Sequence, residues 1–252
     1  MLLNSPLNRI TPLSPKRSGV SVPPLISTMK HEWYFNNVQN ASADIITIPD
    51  TGSVGGLNLS NPALANKPTA STIGGKISEA ADGVDDYLYK ATTNFMKSMP
   101  TWMVSIVFKY DSSSFNTFLS ASNTDNVNNE GWHIGYNDVV QRFQTTSNDS
   151  SGTQFIQRSN AQALVDGQDY IVTFGWNGYN FVWFLEATNI GIVPGTNPLL
   201  RPSSTNNLVS FALIRGFTNY FSPSNVAYIG IDEFDLTRLN NNVAMLKSYY
   251  GI

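Results

Sequence analysis

The side chains able to do chemistry in this 252-residue chain fall into three small groups. In Asp232-Glu233-Phe234-Asp235 the alternation of a strand puts Glu233 and Asp235 on one face. Retaining glycoside hydrolysis needs two carboxyls about 5–5.5 Å apart, so this stretch invites an enzymatic reading. Asp82, Asp85 and Asp86 lie in ADGVDD, while Asp125 and Glu130 share the loop SNTDNVNNE with four asparagines. Both stretches are oxygen-rich in the way calcium requires, though neither has EF-hand spacing and each also reads as an ordinary polar turn. Trp132, His133 and Tyr136, with Asp125 and Asn128 from the loop before them, form the third group. An aromatic face with directional side-chain hydrogen bonds binds sugar; the same aromatics serve equally well as core. His133 alternates with Trp132 and Ile134 and so points to the other side of its strand. His31 and His133 are the only histidines, and no Ser-His-Asp or zinc spacing can be built on them.

The elements that must position these groups are β-strands. Hydrophobic residues make up 41% of the chain and charged residues only 13%, a polar but weakly charged balance that suits many strands and turns, or surfaces that meet other subunits. With no cysteine, disulfides and thiolate metal ligands are excluded. The net charge of −3 is unevenly spread. Residues 1–30 carry Arg9, Lys16, Arg17 and Lys30 with no acid, whereas the remaining 11 basic and all 18 acidic residues leave the body at −7. Five of the 13 prolines also fall in residues 1–30, which reads as an extended arm whose leucines and isoleucines anchor it on a partner. The start MLLNSPLNRITPLSPKRSG lacks the apolar core of a secretory signal, and no run approaches the ~20 apolar residues of a membrane span. An acidic body without a basic stripe argues against nucleic acid as a partner.

Tyr170–Glu186 is the strongest strand signal. Asn177-Gly178 between two aromatic, β-branched runs predicts a two-residue type I′ hairpin. That turn sets Trp176 opposite Tyr179, Phe174 opposite Phe181, Val172 opposite Trp183 and Tyr170 opposite Leu185, giving one wholly apolar face that needs a second layer. Trp102–Tyr110 alternates, with Phe115–Ala121 expected beside it in a meander. Further strands are predicted at His31–Phe35, Gly131–Tyr136, Val139–Thr146, Thr153–Arg158, Leu208–Ile214 and Tyr228–Leu236. Gly191–Asn207 reads as a long loop, and Asn240–Tyr250 as a helix capped by Asn240 with Val243, Leu246 and Tyr250 on one face. About a dozen short strands with almost no helix predict a β-sandwich.

HEWYFNN, PDTGSVGGLNL, DGVDDYLY and TWMVSIVFKY follow one another in the order seen at the opening of a laminin-G-like domain. GWHIGY, FGWNGYNFVWFLEATNIG and YIGIDEFDLTRLNNNVAMLKSYYGI continue the likeness. Residues 31–252 thus resemble the concanavalin A-like lectin/glucanase superfamily in its laminin-G-like bacterial and viral branch. The resemblance implies an all-β fold, a two-sheet antiparallel jelly roll, whose concave face or loop rim binds carbohydrate or protein. Glucanases of that superfamily carry Glu-x-Asp-x-x-Glu or Glu-x-Asp-x-Glu on a strand. Here Thr237 and Arg238 stand where the second acid would be, so the resemblance implies no catalytic pair.

The arm, the missing disulfide and the lack of an export signal depart from the secreted members. Together they imply a non-enzymatic bacteriophage virion protein, a capsid-decoration or fibre subunit. Its Arg9, Lys16, Arg17 and Lys30 arm would dock on other virion proteins, and the domain would be displayed for assembly or host-glycan attachment. A homo-oligomer with no required cofactor beyond an optional Ca2+ is expected. The alternatives are a cellular carbohydrate-binding module or adhesin domain, and then a polysaccharide hydrolase.

Overall fold

The structure, a computed structural model, describes residues 29–36, 47–61, 65, 67–91, 96, 99–112, 115–122, 131–149, 151, 153–195, 197, 207–209 and 223–252. Among these, antiparallel strands form two sheets. Sheet I runs β14 (Thr188–Pro194), β13 (Asn180–Leu185), β12 (Asp169–Trp176), β7 (Trp102–Lys109), β16 (Pro223–Asp232), β5 (Lys76–Asp82) and β4 (Thr69–Ile73). The second half of β16 pairs instead with β1 (His31–Tyr34). Sheet II runs β11 (Gln154–Arg158), β10 (Arg142–Asn148), β9 (Gly131–Asn137), β8 (Phe115–Ser122), β15 (Asn207–Val209), β6 (Tyr89–Ala91), β3 (Leu59–Ser60) and β2 (Thr47–Ile48). The predicted two-sheet jelly-roll sandwich is the fold observed.

Alternation in the central strands of sheet I is apolar on both sides, so the sheet needs two covers. Trp102, Val104, Ile106 and Phe108 of β7 and Val172, Phe174 and Trp176 of β12 pack inward against Phe118, Ile134, Tyr136 and Phe143 of sheet II. Met103, Val107, Ile171 and Val182 face the other way, onto the helix α1 (Leu236–Tyr250), which buries Leu239, Val243, Leu246 and Tyr250. Even Ser105, between these apolar neighbours, is buried, its Oγ 3.0 Å from Thr173 Oγ1. No described helix is long and apolar enough to cross a membrane.

Four details differ from expectation, each for a local reason. The β12–β13 hairpin pairs Trp176 with Phe181, Phe174 with Trp183 and Val172 with Leu185, two residues along from the predicted register. Gly178 has φ +98, but Asn177 does not adopt the left-handed region that a type I′ turn demands. Instead Asn177 Oδ1 accepts from the backbone N–H of Tyr179 and Asn180, widening the loop. A shift of two leaves every side chain on its predicted face and frees Tyr179, which is 80% exposed. Second, β8 does not neighbour β7; it crosses to sheet II.

The helix, third, starts five residues before the predicted position. Asp235, not Asn240, is its N-cap and accepts from Arg238 N at 2.8 Å. Fourth, β14 lies partly in the predicted Gly191–Asn207 loop, and β4–β5 forms a hairpin where no strand was predicted. Its turn residue Gly74 sits at φ +54 against the Tyr250 carbonyl, where a Cβ would collide with the backbone.

Asp50 fastens the first strand to the sandwich. Its carboxylate accepts from His31 Nδ1 at 2.7 Å and from the backbone N–H groups of Glu32, Gly52 and Leu57 at 3.0–3.1 Å. Burial pushes this carboxyl up, but the hydrogen bonds from His31, Glu32 and Leu57 outweigh it and hold the carboxyl below the usual range. A depressed folded pKa contributes stability that is present above the unfolded value, about 3.9, and is lost as pH falls through the folded one. Asp50→Ala is therefore expected to cost about 3 kcal/mol in urea unfolding at pH 7. The gap to wild type should narrow once the pH drops below about 4.

Candidate functional site

The strands β9 and β10 sort their residues cleanly. Register sets Tyr136 opposite Phe143, Ile134 opposite Thr145 and Trp132 opposite Ser147, all facing sheet I. The outer face of the same strands carries His133, Gly135 and Asn137 beside Thr146, Gln144 and Arg142. Ser120 of β8 pairs with His133, and Arg158 of β11 pairs with Gln144. A polar surface therefore spans four strands, and Gly135 leaves its middle without a side chain next to Gln144.

Gln144 organises that surface. Its Oε1 accepts from Arg158 Nε at 3.4 Å and from Asn137 Nδ2 at 3.5 Å, and its Nε2 donates to Thr146 Oγ1 at 3.2 Å. Arg142 donates to the Ser159 carbonyl at 3.0 Å. Ser120, His133, Gln144 and Thr146 are buried, Asn137 and Arg142 are half-buried, and Arg158 is exposed. Two guanidinium groups and an amide thus stand at the accessible end of a polar floor, on a body of net charge −7. A guanidinium presents a planar fork of donors that matches a carboxylate or neighbouring hydroxyls.

The predicted sugar-binding group is split by this geometry. Trp132 and Tyr136 are 3% and 0% exposed and belong to the inter-sheet core, so neither offers a ring face at the surface. His133 alone lies on the outer face, as its alternation required, and it is 7% exposed. Asp125, Asn128 and Glu130 lie outside the described residues, as do Arg9, Lys16 and Arg17 of the arm. Lys30 is described, and its Nζ meets Glu233 Oε1 at 2.7 Å. Asn137, Arg142, Gln144 and Arg158 were missed as site residues, although Arg-Phe-Gln-Thr-Thr-Ser-Asn in β10 already alternates polar side chains outward. Their importance depends on cross-strand register, which that alternation alone does not supply.

The acids near the C-terminus have structural partners. Asp232 takes Arg238 at 3.0 Å, Glu233 takes Lys30, and Asp235 caps α1. Burial pushes Asp232 up against the pull of Arg238, while the Lys30 hydrogen bond holds Glu233 down. Predicted metal ligands fare differently. Asp82, Asp85 and Asp86 come together where the chain leaves β5 for sheet II, with one carboxylate oxygen of each within 4.8 Å of the others.

No protein-family model and no curated protein matches the sequence. Solved structures match in fold. The binding domain of botulinum neurotoxin DC in complex with SialylT overlays 88% of this chain and 52% of its own, at TM-score 0.59 and 12% identity. A structure on the entry of botulinum neurotoxin type C into cells, dependent on two ganglioside molecules, overlays 86% and 51% at TM-score 0.59 and 14% identity. The Ruminococcus gnavus IT-sialidase CBM40 bound to α2,3-sialyllactose overlays 65% of this chain and 97% of its own at TM-score 0.50 and 11% identity. The chain spans about half the length of those neurotoxin structures. At these identities the likeness is one of fold, a lectin-like β-sandwich.

Placing Trp132 in the core has a measurable consequence. Trp132→Ala is expected to lose about 3–5 kcal/mol of stability in denaturant unfolding. A substitution of the outer-face Arg158 should leave the unfolding midpoint close to wild type.

Proposed function

We propose that this domain is a non-catalytic carbohydrate-binding module whose ligand face is the outer surface of sheet II around Gln144. The observation that carries the reading is the Arg158–Gln144–Asn137 arrangement. A buried, hydrogen-bonded amide holds an exposed guanidinium in place, so its remaining donors need no reordering to meet a ligand. Arg142 adds a second cation on the same face. Acidic sugars are the class these groups suit best, since a carboxylate accepts two parallel hydrogen bonds from one arginine. Sialylated ligands named with the fold neighbours make them the first compounds to try.

Two features speak against catalysis on this chain. A retaining hydrolase needs a free pair of carboxyls, and Asp232, Glu233 and Asp235 are each engaged by Arg238, Lys30 or the helix end. The described face around Gln144 presents amides, hydroxyls and guanidinium groups. Display of this module on a virion through residues 1–30 belongs to the same proposal and rests on the basic, proline-rich sequence of the arm.

Calorimetric titration of the full chain with α2,3-sialyllactose and with lactose tests the reading. Binding should favour the sialylated sugar, and Arg158→Ala should weaken it about tenfold or more, the equivalent of one charge-assisted hydrogen bond. Equal affinity for both sugars, no binding to either, or an Arg158→Ala variant with wild-type affinity would overturn it.

A further inference from the structure

Loop tips are normally polar, and the tip of the β9–β10 hairpin is not. Asn137 and Arg142 close a turn whose outermost residues are Val139, 90% exposed, and Val140, 38% exposed. Valine is a strand residue, and turns are built mostly from Gly, Asn, Asp, Pro and Ser. The turn is also strained, because Gln141 holds φ +51, a left-handed value that a non-glycine residue seldom takes. A third valine, Val165, stands 55% exposed on the loop after β11. That loop and the hairpin tip share one end of the sandwich. Gln162 N donates to the Gln141 carbonyl at 2.7 Å, and the Tyr136 hydroxyl donates to the Gln162 carbonyl at 2.6 Å. Gly167 N donates to the carbonyl of Tyr110, whose hydroxyl donates to Asp138.

Acidic side chains stand around these valines. Asp138 is half-buried, and Asp111 and Asp166 are exposed. None of the three enters an ion pair among the described residues. The cations nearest along the chain are already engaged, Lys109 by Asp169 and the Thr72 carbonyl, Arg142 by the Ser159 carbonyl. This end is therefore apolar at its tips and negative around them.

Residues 1–28 join the body at its opposite end. Traced backward, β1 runs along β16 from Tyr34, opposite Tyr228, to His31, opposite Ile231, and Lys30 N continues the ladder to the Ile231 carbonyl. Ile231 pairs with Val104 near the start of β7, whereas Tyr110 follows the far end of that strand. The stretch from Val104 to Tyr110 covers about 20 Å at the rise of a strand. Residues 1–28 hold Arg9, Lys16 and Arg17 and no acid, with Leu13, Val20 and Val22 on either side of Lys16-Arg17. We infer that the Val139–Val140–Val165 end docks the arm, residues 1–28, of a second copy of this chain. Its apolar side chains would cover the valines, and Lys16 and Arg17 would meet Asp111, Asp138 and Asp166. Within one copy the arm would have to reverse and run the length of the body. Between copies stacked end to end it continues in the direction that β1 gives it. Such a contact is heterologous, head to tail. It rests on the reading of residues 1–30 as an assembly arm, names its partner, and uses none of the donors proposed for sugar.

Sedimentation velocity of the full chain over a concentration series tests this. The weight-average sedimentation coefficient should rise with concentration, and salt at about 0.5 M should suppress the rise by screening the charge contacts. Two double variants should each stay monomeric. Lys16→Glu with Arg17→Glu reverses the charge of the arm. Val139→Ser with Val165→Ser strips the dock at two exposed positions and should leave the unfolding midpoint near wild type. Mixed together, the two variants should form a one-to-one pair and nothing larger, because the first keeps an intact dock and the second an intact arm. Wild type that remains monomeric at every concentration would overturn the inference. So would either variant assembling as wild type does, or a mixture that yields no pair. These substitutions leave Asn137, Gln144 and Arg158 in place, so titration with α2,3-sialyllactose reports on the glycan reading separately.

Discussion

The central strands of sheet I have no face they can show to water, and most of the architecture follows from that. In β7 the residues Trp102, Val104, Ile106 and Phe108 point one way while Met103 and Val107 point the other, and all six are buried. Strands of that kind must be covered on both sides. Sheet II covers one side with Phe118, Trp132, Ile134, Tyr136 and Phe143; α1 covers the other with Leu239, Val243, Leu246 and Tyr250. The aromatic side chains of β9 and β10 are consumed by this packing. What remains for their outer faces is polar, and Gln144, Thr146 and His133 are set there by the same alternation that buries Trp132.

Much of this was legible in the residue pattern. Alternation in Trp102–Tyr110 correctly separated the inward set from Ser105 and Lys109, and it placed His133 opposite Trp132 and Ile134. It could not say which side of β9 would meet the other sheet, so Trp132 was open to being a sugar platform or core. Turn chemistry misled in one place. Asn177-Gly178 carries the usual hairpin signal, yet the Asn177 side chain satisfies the Tyr179 and Asn180 N–H groups and makes a longer loop. A slip of one residue would have inverted the hairpin; the slip of two preserved it. The helix start was hidden because Asp235 looked like one more acid in Asp232–Asp235, and its role as a cap shows only once Arg238 N is seen to point at it.

The candidate site was less legible than the fold because it depends on pairing between strands. Arg158 and Gln144 lie fourteen positions apart in sequence, and only the β10–β11 register brings them together. Local composition drew attention instead to stretches dense in Asp, Asn or aromatic residues. Of these, Asp232, Glu233 and Asp235 hold the C-terminal helix and the start of β1, through Arg238, the N-cap and Lys30. Asp82, Asp85 and Asp86 do converge. Charge density, in short, marks where carboxylates are; burial and partners decide what they do.

The proposed ligand face is the outer side of sheet II and not the aromatics beneath it. Amide-detected NMR of the labelled chain during titration with α2,3-sialyllactose addresses this directly, since it reports position rather than affinity alone. Binding on that face should concentrate chemical-shift changes on Gly135, Asn137, Gln144 and Arg158, with α1 unperturbed. Changes gathered instead around the exposed Tyr179 loop, or a spectrum left unaltered by saturating sugar, would contradict it.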